Sequence, residues 1–402
     1  MQNVGIIGGG ASGLMAAITL KSKSPETKVT VFEKLDRVGK KIALTGNGRC
    51  NISNRNISIG NYHGSNPQFA EFALTHFDLN KTEEFFNSIG VVFKEENGGK
   101  LYPYSLQASS VTDALRFAAA KLDVKIITDE CIEKIKKSGS SYTLFGKEEY
   151  SCDAVILACG GVAGGKIGTD LGYKLAETLS HKRTKLSPAI VQVKTDNQYT
   201  RSLKGVKVVA EVSVVDKSGK SYSDFGEVLF CDYGLSGPPI MQLSRYMHEG
   251  TKINLDIMPD VSKEELITLL KSRRNMFDTC AEFFCGMLQT RLGQTVLKIC
   301  GFSINDNPAF SDSDIEKIAN KIKCMQFKFI DRMGFSAAQV TSGGLKTDEF
   351  YSDTLMSKHH KGLFACGELL DIDGDCGGYN LQWAWSSGYT AALGCKTYLE
   401  GK

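Results

Sequence analysis

The spacing of apolar residues near the start of the chain changes from a continuous run to a helical period and back. Residues 3–7 (NVGII) form a short, largely apolar run, glycines occupy positions 8–10, and apolar residues then recur with helical spacing through residue 20. A second apolar run covers residues 28–34 (KVTVFEK). This order predicts a strand, a glycine turn, a helix and a second strand, which is the beginning of an α/β fold.

The middle of the chain has a different pattern. Residues 150–161 (YSCDAVILACGG) and 362–368 (GLFACGE) are apolar runs that end in glycine turns, which predicts two more strands of the α/β domain. After Pro188, short alternating runs predict an all-β piece near 187–258. Helical spacing then predicts a helical piece near 259–336, which opens with a Ser-x-x-Glu capping box.

Three glycines in the first turn match the G-x-G-x-x-G pattern of dinucleotide-binding proteins. Gly8 permits the tight turn, Gly10 lets the backbone approach a pyrophosphate, and Gly13 lets the helix pack closely against the strand. The N-terminus of the predicted helix directs free N–H groups toward the phosphates. Glu33 ends the second strand twenty residues after Gly13, where an acid bonds the ribose hydroxyls of an adenosine.

The long loop after the second strand favours FAD over NAD. Residues 35–54 (LDRVGKKIALTGNGRCNISN) are polar and glycine-rich, where an NAD dehydrogenase would enter its next helix. Gly46 and Gly48 permit close approach of the backbone to a flat ring. The basic residues placed to neutralise pyrophosphate charge are Arg37, Lys40 and Lys41. An ordinary surface loop is the alternative interpretation of this segment.

Two long motifs resemble those of a bacterial family of FAD-dependent oxidoreductases. They are residues 39–54 (GKKIALTGNGRCNISN) and residues 367–388 (GELLDIDGDCGGYNLQWAWSSG). Residues 98–111 and 226–244 also resemble blocks of this family. Its members are labelled BaiN-like or aminoacetone-oxidase-like, and they are distantly similar to the fumarate reductase and succinate dehydrogenase flavoproteins. The resemblance covers essentially the whole chain.

The resemblance implies an α/β fold with an FAD-binding, Rossmann-like domain of the two-dinucleotide type, built from both ends of the chain. It also implies an inserted domain with a β-barrel-like part and a helical part. We therefore expect the FAD domain at residues 1–186 and 337–402, the β-barrel-like subdomain at 187–258 and the helical subdomain at 259–336. The insert is expected to cover the flavin and shape the substrate pocket.

The family motifs also imply which residues hold FAD. The expected contacts come from the glycine turn, the end of the second strand, the glycine-rich loop, the strand end near residue 158 and the C-terminal motif. They are Gly8, Gly10, Ala11, Ser12, Gly13, Glu33, Lys34, Lys41, Thr45, Gly46, Gly48, Arg49, Cys50, Asn51, Ala158, Gly160, Gly367, Glu368, Gly378, Tyr379 and Asn380. A helix that starts near Tyr379 is expected to direct its N-terminus at the pyrimidine edge of the flavin, where it stabilises the charge of the reduced ring.

The expected reaction is hydride transfer through flavin N5 to a small organic acceptor such as an activated C=C bond, with NAD(P)H as the electron donor. The sequence holds no second G-x-G-x-x-G, so NAD(P)H would bind transiently over the flavin. Arg49, Tyr102 and Tyr379 are the candidate proton donors. The alternatives are an oxidase that passes electrons from a small amine or aminoketone to O₂, a flavin-binding sensor and an RNA-modifying flavoprotein.

Several residues near the expected cofactor have a structural interpretation beside the functional one. Cys50 lies near the expected ring position but lacks a partner cysteine for a dithiol mechanism, so an inert buried thiol is the favoured interpretation. Cys159 stands where related proteins often have Thr, which suggests a backbone contact. Trp383 and Trp385 point about 200° apart on a helix, so both packing into the core is the leading interpretation.

Charge and cysteine content exclude several other classes. The formal net charge of +3 gives no reason to expect nucleic acid or a membrane surface as a partner. The start of the chain has no signal-peptide pattern, and no apolar run approaches the length of a membrane span. Twelve scattered cysteines without metal spacing fit a reducing cytoplasm. Three alternating Asp residues at 371–375 lack the terminal Glu of a calcium loop, so no metal is expected.

Overall fold

The computed structural model describes residues 2–96, 98–196 and 198–401. The chain divides into two compact units. Met1–Pro188 together with Gln339–Lys402 form the first unit, and Ala189–Ala338 form the second. Both ends of the chain therefore contribute to the first unit, and the second unit is a single continuous insertion.

A parallel sheet of five strands is the centre of the first unit. Because its strands are covered on both faces, they are almost continuously apolar, and Ala154, Val155, Ile156 and Leu157 are fully buried. The spatial order of the strands is Leu363–Ala365, Ala154–Leu157, Asn3–Ile7, Lys28–Phe32 and Lys125–Ile127. A strand from near the start of the chain and a strand from its last 40 residues therefore lie in one sheet.

Two long helices pack beside this sheet, Ala11–Lys23 and Tyr379–Glu400. They approach so closely that a Cβ on Gly388 would lie 2.4 Å from the backbone oxygen of Ser12. The C-terminal helix is buried over most of its length because it crosses the interior of the unit. The remaining helices of this unit are Lys40–Leu44, Glu71–His76, Leu79–Ser88, Ala108–Lys121 and Leu171–Thr178.

Small antiparallel sheets complete the first unit. One joins Ser53–Asn54, Lys100–Pro103 and Phe93–Glu96, and a second pairs Tyr62–His63 with Asp373–Gly374. The first sheet joins the end of the glycine-rich loop to the hairpin of residues 93–103, and the second joins a segment after that loop to the C-terminal motif. The other pairings are Lys134–Ser138 with Ser141–Phe145 and Glu149–Cys152, and Ser187–Ala189 with Val340–Ser342.

The second unit is a closed six-stranded barrel with helices in two of the connections between its strands. The barrel strands in spatial order are Val193–Thr195, Gly234–Ser236, Ser221–Cys231, Lys207–Val215, Lys252–Asp256 and Met325–Arg332. Its helices are Pro238–Leu243, Lys263–Ser272, Thr290–Ile299 and Asp312–Lys323. The expected capping box is present, because the Ser262 side chain accepts from the Glu265 N–H and the Glu265 carboxylate accepts from Ser262.

The inserted domain has the expected β-barrel and helical parts. The order of its helices and strands along the chain differs from the expected order in two places. Residues 259–336 were expected to be helical, whereas Met325–Arg332 is a strand that pairs with Lys252–Asp256 and closes the barrel. The helical part is also interrupted, because residues 273–289 form turns and bends between two of its helices. Apolar and polar residues alternate at the start of Met325–Arg332, and this alternation is the sequence signal that identifies the strand.

No helix in the described part of the chain is long and apolar enough to cross a membrane.

Candidate active site

The glycine turn after the first strand has the geometry expected of a phosphate-binding turn. A Cβ on Gly13 would lie 1.9 Å from the Gly8 backbone oxygen, and a Cβ on Gly8 would lie 2.4 Å from the Ala158 oxygen. These two glycines are therefore required by the packing of the protein itself. Gly10 differs, because a Cβ at this position would meet no atom within 4 Å. Gly10 is the N-cap of the first helix, so open space lies in front of the free N–H groups.

Glu33 follows the second strand and is buried beside this turn. One carboxylate oxygen accepts from the Gly9 N–H at 2.9 Å, and the other accepts from the Leu35 N–H at 2.9 Å. A carboxylate oxygen has further acceptor capacity after one such bond. Glu33 is thus fixed next to the helix N-terminus, in the position that an acid needs to accept from ribose hydroxyls.

The glycine-rich loop is built from residues in the left-handed region of backbone space. Gly46, Asn47, Gly48 and Cys50 have φ values of 58°, 56°, 81° and 61°. Two of these four are not glycine, and such conformations are sparsely populated for side-chain-bearing residues. The Thr45 hydroxyl donates to the Ile42 oxygen at 2.7 Å, which fixes the start of the loop.

The C-terminal helix begins directly beside this loop. Gly377 and Gly378 have φ values of 129° and 102°, and a Cβ on Gly378 would lie 2.4 Å from the Ser53 oxygen and 3.0 Å from Asn51 Oδ1. Asn54 Nδ2 donates to the Gly377 oxygen at 2.8 Å. The N-terminus of the helix is therefore held against residues that lie more than 300 positions earlier in the chain.

Asn51 provides the most direct evidence that this end of the site accommodates a ligand. The side chain is buried, and its Oδ1 atom has no hydrogen-bond partner. A buried acceptor without a donor is costly, so a donor from a bound group is expected there. A flavin ring carries an N–H donor on its pyrimidine portion. Together with the open space at Gly10, Gly48 and Gly160, where a Cβ would meet nothing within 4 Å, the residues fit FAD.

Lys41 and Glu368 are brought together, although they lie 327 positions apart. Lys41 Nζ and Glu368 Oε2 form an ion pair at 2.5 Å, and Glu368 Oε1 accepts from the Thr341 N–H at 2.7 Å. The sequence predicted both residues as FAD contacts. Because 30% of the Lys41 side chain and 18% of the Glu368 side chain are exposed, this pair remains accessible to a ligand.

Arg49 and Tyr102, two of the three candidate proton donors, are also in contact. The Arg49 guanidinium lies 4.4 Å above the centre of the Tyr102 ring, and Arg49 Nη2 donates to the Tyr102 hydroxyl at 3.3 Å. Arg49 Nη1 contacts both carboxylate oxygens of Glu96, at 3.1 and 3.0 Å. Burial raises the pKa of Tyr102, and the nearby Arg49 charge opposes this rise. Tyr102 therefore keeps its proton at neutral pH.

Tyr379 and Asn380 have different environments at the start of the C-terminal helix. Burial, and to a lesser extent the charge of Asp375, raises the pKa of Tyr379. The Asn380 side chain accepts from the Gly374 N–H at 2.8 Å and donates to the Gly374 oxygen at 2.8 Å. Its amide is thus used to hold the preceding turn, so any cofactor contact by Asn380 would come from its backbone.

The remaining residues that were predicted to contact FAD are Ala11, Ser12, Lys34, Ala158 and Gly367. Ser12 and Ala158 are buried beside the glycine turn, and a Cβ on Gly367 would lie 2.6 Å from Ser12 Oγ. Lys34 Nζ donates to the Gly168 oxygen at 3.5 Å, and Ala11 is the first residue of the first helix. The structure therefore groups the predicted residues into a phosphate end and a ring end, but their contacts with FAD stay predictions.

Cys50 and both tryptophans of these segments are buried, and Cys159 is half-buried. Burial raises the pKa of Cys50 and of Cys159 to about 12, so both thiols are protonated at neutral pH. Cys159 Sγ contacts the Ile7 oxygen at 3.4 Å. Trp383 and Trp385 are 1% and 0% exposed, and their indole N–H groups donate to the oxygens of Gly367 and Ile52. Both tryptophans are therefore core residues that fix the ring end.

One cluster in the described part of the chain has the spacing of a metal site, namely His181, Glu349 and His359. Ser357 Oγ accepts from the N–H groups of His359 and His360, so its own hydrogen donates to His181 Nε2 at 2.9 Å. The proton of His181 then lies on Nδ1 and is donated to Glu349 at 2.8 Å. This network satisfies both ring nitrogens without an ion.

The structure adds residues that the sequence interpretation missed. Glu96 binds Arg49, and Asn54 binds the turn before the C-terminal helix. Tyr62 donates its hydroxyl to the Tyr379 oxygen at 3.2 Å, and His63 lies 2.7 Å from an Asp375 oxygen. Only the position of Asn54 inside a family motif offered a signal. The others depend on pairing between remote segments.

Comparison with known proteins identifies the family. The family model described as HI0933-like protein Rossmann domain matches residues 2–394. The chain is 36% identical to a 3-dehydro-bile acid delta(4,6)-reductase from Clostridium scindens, and the alignment covers 97% of this chain and 98% of the relative. It is 28% identical to a ribosomal RNA dihydrouridine synthase from Haemophilus influenzae, with 96% and 97% of the two chains covered.

A solved structure has the same fold. A quinol-fumarate reductase with menaquinol molecules matches with a TM-score of 0.52 at 15% identity, and the match covers 100% of this chain and 73% of that chain. The fold, the two-ended site and the relatives define an FAD-dependent oxidoreductase. The chain belongs to the HI0933-like protein Rossmann domain family. The family expected from the two motifs is therefore confirmed, and the fold is similar to that of the quinol-fumarate reductase.

Proposed function

We propose that this protein reduces a C=C bond conjugated to a carbonyl group in a small organic molecule, with FAD as the cofactor and NAD(P)H as the electron donor. The observation that carries the proposal is the 36% identity, over nearly the full length of both chains, to a delta(4,6)-reductase of 3-dehydro-bile acids. That name describes reduction of double bonds conjugated to a 3-oxo group. The same reaction class is proposed here without assigning the same substrate.

When bound, FAD supplies the hydride chemistry. In this proposal, Gly10 and the N-terminus of Ala11–Lys23 hold the pyrophosphate, and Glu33 accepts from the ribose hydroxyls. Asn51 accepts from the pyrimidine portion of the ring. The N-terminus of Tyr379–Glu400 places its partial positive charge where negative charge develops on reduction.

Proton delivery is assigned to the ring end of the site. Reduction of a conjugated C=C bond requires one proton in addition to the hydride, and Arg49, Tyr102 and Tyr379 are the candidate donors. Tyr102 is supported by its contact with Arg49, because a neighbouring cation stabilises the phenolate left after proton transfer. Tyr379 lacks a described cation of this kind and lies near Asp375, which opposes ionisation.

An anaerobic two-step experiment tests the proposal. The purified flavoprotein is mixed with NADH or NADPH in a stopped-flow instrument, and loss of the oxidised flavin absorbance is recorded. The reduced protein is then mixed with small enones or O₂, and oxidised protein is mixed separately with an aminoketone before exposure to O₂. The proposal expects fast reduction by one nicotinamide and fast reoxidation by enones. Fast reoxidation by O₂ with an aminoketone as the reductant would support the oxidase alternative, and no reaction in either step would support a flavin sensor.

A second candidate function is reduction of uridine in RNA. The full-length similarity to a ribosomal RNA dihydrouridine synthase favours it, because dihydrouridine also arises by saturation of a C=C bond conjugated to a carbonyl group. The near-balanced net charge of +3 counts against a large phosphate-binding surface. Incubation of the reduced protein with unmodified ribosomal RNA, followed by nucleoside mass spectrometry, distinguishes the two functions. Three expectations stay predictions: the small-molecule substrate, the lack of a nucleic-acid partner and the cytoplasmic location.

A further inference from the structure

The antiparallel sheet that joins Asn54 to the hairpin of residues 93–103 turns one of its faces toward the ring end. Asn54 pairs with Lys100 in this sheet, and residues that are directly opposite each other share a face. Asn54 Nδ2 donates to the Gly377 oxygen at 2.8 Å, and Lys100 Cε lies 3.7 Å from the position that a Cβ on Gly377 would take. Both side chains therefore reach the turn before the C-terminal helix. The register gives the other members of this face, which we call the basic face: Lys94, Glu96, Lys100 and Tyr102, with Arg49 over the Tyr102 ring.

Positive charge exceeds negative charge on the basic face. Glu96 is its one carboxylate, and both oxygens of this group accept from Arg49 Nη1, at 3.1 and 3.0 Å. Glu95, the neighbouring acid, belongs to the opposite face of the strand. Lys94 is exposed and Lys100 is half-buried, and neither forms an ion pair among the residues that the structure describes. Two ammonium groups at the border of the ring end are therefore available to an external anion.

FAD does not require these two ammonium groups, whereas the electron donor does. In the proposed function, the pyrophosphate of FAD lies at Gly10 and the N-terminus of Ala11–Lys23, at the other end of the site. A nicotinamide donor has to place its nicotinamide ring against the flavin ring. Its own pyrophosphate, which is joined to the nicotinamide through one ribose, then lies near the border of the ring end. The sequence holds no second G-x-G-x-x-G that would bind this pyrophosphate.

We propose that the basic face binds the pyrophosphate of NAD(P)H through Lys94 and Lys100 and so forms the transient site of the electron donor. This inference rests on the proposed function and assigns the binding site of its donor. An ammonium group binds phosphate oxygens as a point charge without a fixed geometry, which suits a ligand that arrives and leaves in each turnover. RNA phosphates and substrate carboxylates offer similar chemistry, so the experiment includes both as separate ligands.

Anaerobic stopped-flow reduction measures the apparent Kd of NADH and NADPH, because the rate of flavin reduction saturates with donor concentration. We expect Lys94→Gln and Lys100→Gln each to raise this Kd roughly 3- to 10-fold and the double variant to raise it about 10- to 50-fold, with little change in the limiting rate. Lys94→Arg and Lys100→Arg keep the charge and should bind the donor nearly as well as wild type. Lys136→Gln is the matched control, because Lys136 is exposed on the strand Lys134–Ser138, outside the candidate site.

ADP-ribose tests the same contact without hydride transfer. It carries the pyrophosphate but no nicotinamide, so isothermal titration calorimetry of the oxidised holoprotein measures the phosphate contact. Its affinity should fall in the double variant by a factor similar to that for NAD(P)H. Added salt should weaken its binding to wild type more steeply than its binding to the double variant, because salt screens the attraction of exposed charges.

The results separate this inference from the proposed function. Unchanged affinity for NAD(P)H and ADP-ribose in the double variant, an equal loss in Lys136→Gln, or failure of ADP-ribose to bind wild type overturns the inference, even if dithionite-reduced protein reduces enones. Loss confined to the Lys94 and Lys100 variants supports it, even if no enone is reduced. If these variants instead lose affinity for an enone that bears a carboxylate, or for a uridine oligoribonucleotide, while NAD(P)H binding is unchanged, the face binds the substrate and the inference is wrong.

Discussion

The two ends of the candidate FAD site are built in different ways. At the phosphate end, Gly8, Gly10, Gly13 and Glu33 lie within one strand–helix–strand unit, and Gly8 and Gly13 also pack against Ala158 of a neighbouring strand. At the ring end, residues 46–51 meet residues 377–380 across more than 300 positions of sequence. The first end is therefore mostly local in sequence, whereas the second forms only when the two ends of the chain have come together.

Each end of the site contains two kinds of residue. Some are required by packing within the protein, and others face the expected ligand. Gly13 and Gly378 are glycine because protein backbone occupies the place of a side chain. Gly10 and Asn51 have no such protein partner, since one faces open space and the other has an unpaired buried oxygen. Substitutions that compare the two kinds at each end test the account.

The largest expected effect is at Gly13. In Gly13→Ala the new Cβ would lie 1.9 Å from the Gly8 oxygen, so the first helix must move away from the strand. We expect a loss of unfolding free energy of about 3 kcal/mol or more, together with loss of bound flavin. Thermal unfolding of the protein stripped of flavin measures the first effect, and the ratio of visible to ultraviolet absorbance measures the second.

Gly10→Ala is the control for this substitution. Its Cβ would meet no protein atom within 4 Å, so the melting temperature of the flavin-free protein should stay within about 1–2 °C of wild type. FAD affinity should still fall by about tenfold or more, because the methyl group takes the space that the pyrophosphate needs. Equal destabilisation of both flavin-free variants would contradict the distinction between packing and ligand glycines.

At the ring end, Gly378→Ala is expected to cost about 2–3 kcal/mol of unfolding free energy. Its φ of 102° disfavours a side chain, and the Cβ would lie 2.4 Å from the Ser53 oxygen. Gly139→Ala separates the two causes, because Gly139 has a φ of 60° and open space around its Cβ. It should cost only about 1 kcal/mol. Urea unfolding of both variants gives the comparison.

A pair of asparagines separates cofactor binding from folding. Asn51→Ala removes a buried acceptor without a protein partner, so we expect a 5- to 30-fold weaker FAD affinity, corresponding to about 1–2 kcal/mol, with little loss of flavin-free stability. Asn380→Ala removes two bonds to Gly374, so it should lower stability by about 1–2 kcal/mol. Fluorescence titration with FAD and thermal unfolding measure the two effects. Lower flavin-free stability with unchanged FAD affinity in Asn51→Ala would show that Asn51 supports the fold and does not bind the cofactor.

The smallest effect concerns the thiol of Cys50. Burial raises its pKa to about 12, so the folded protein holds no thiolate there at pH 8, and iodoacetamide should label the exposed Cys285 but not Cys50. The unfolded thiol ionises near its ordinary value. Burial of Cys50, Cys152, Cys159 and Cys366 therefore makes unfolding more favourable as pH rises from about 9 towards 12. Peptide mass spectrometry after labelling tests the first expectation, and labelled Cys50 would contradict it.

The sequence predicted the phosphate end well because its pattern is local. The strand, the glycine turn, the helix and the acid at Glu33 follow from spacing within one segment, and the structure has each of them. The FAD-binding fold with an inserted barrel was confirmed through the family resemblance. The last barrel strand was misplaced because helices separate Met325–Arg332 from its neighbours in sequence.

The ring end was predicted as a set of residues but not as a set of contacts. The motifs identified Arg49, Tyr102 and the helix start at Tyr379, whereas the pairing of Arg49 with Glu96 depends on a hairpin whose register a single sequence does not reveal. Asn380 was expected to contact FAD, whereas its side chain binds the preceding turn. Long-range pairing explains the contact of Arg49 with Glu96, whereas the Asn380 bonds lie within a local turn that the motif did not reveal.

The central claim is that both ends of the chain hold one FAD. The most direct test is to purify the protein, record its visible spectrum, release the pigment by heat and identify it by mass spectrometry. The account predicts a yellow protein with close to one non-covalent FAD per chain, and weaker FAD binding in both Gly10→Ala and Asn51→Ala. A colourless protein that takes up no FAD when the cofactor is added in excess would contradict it.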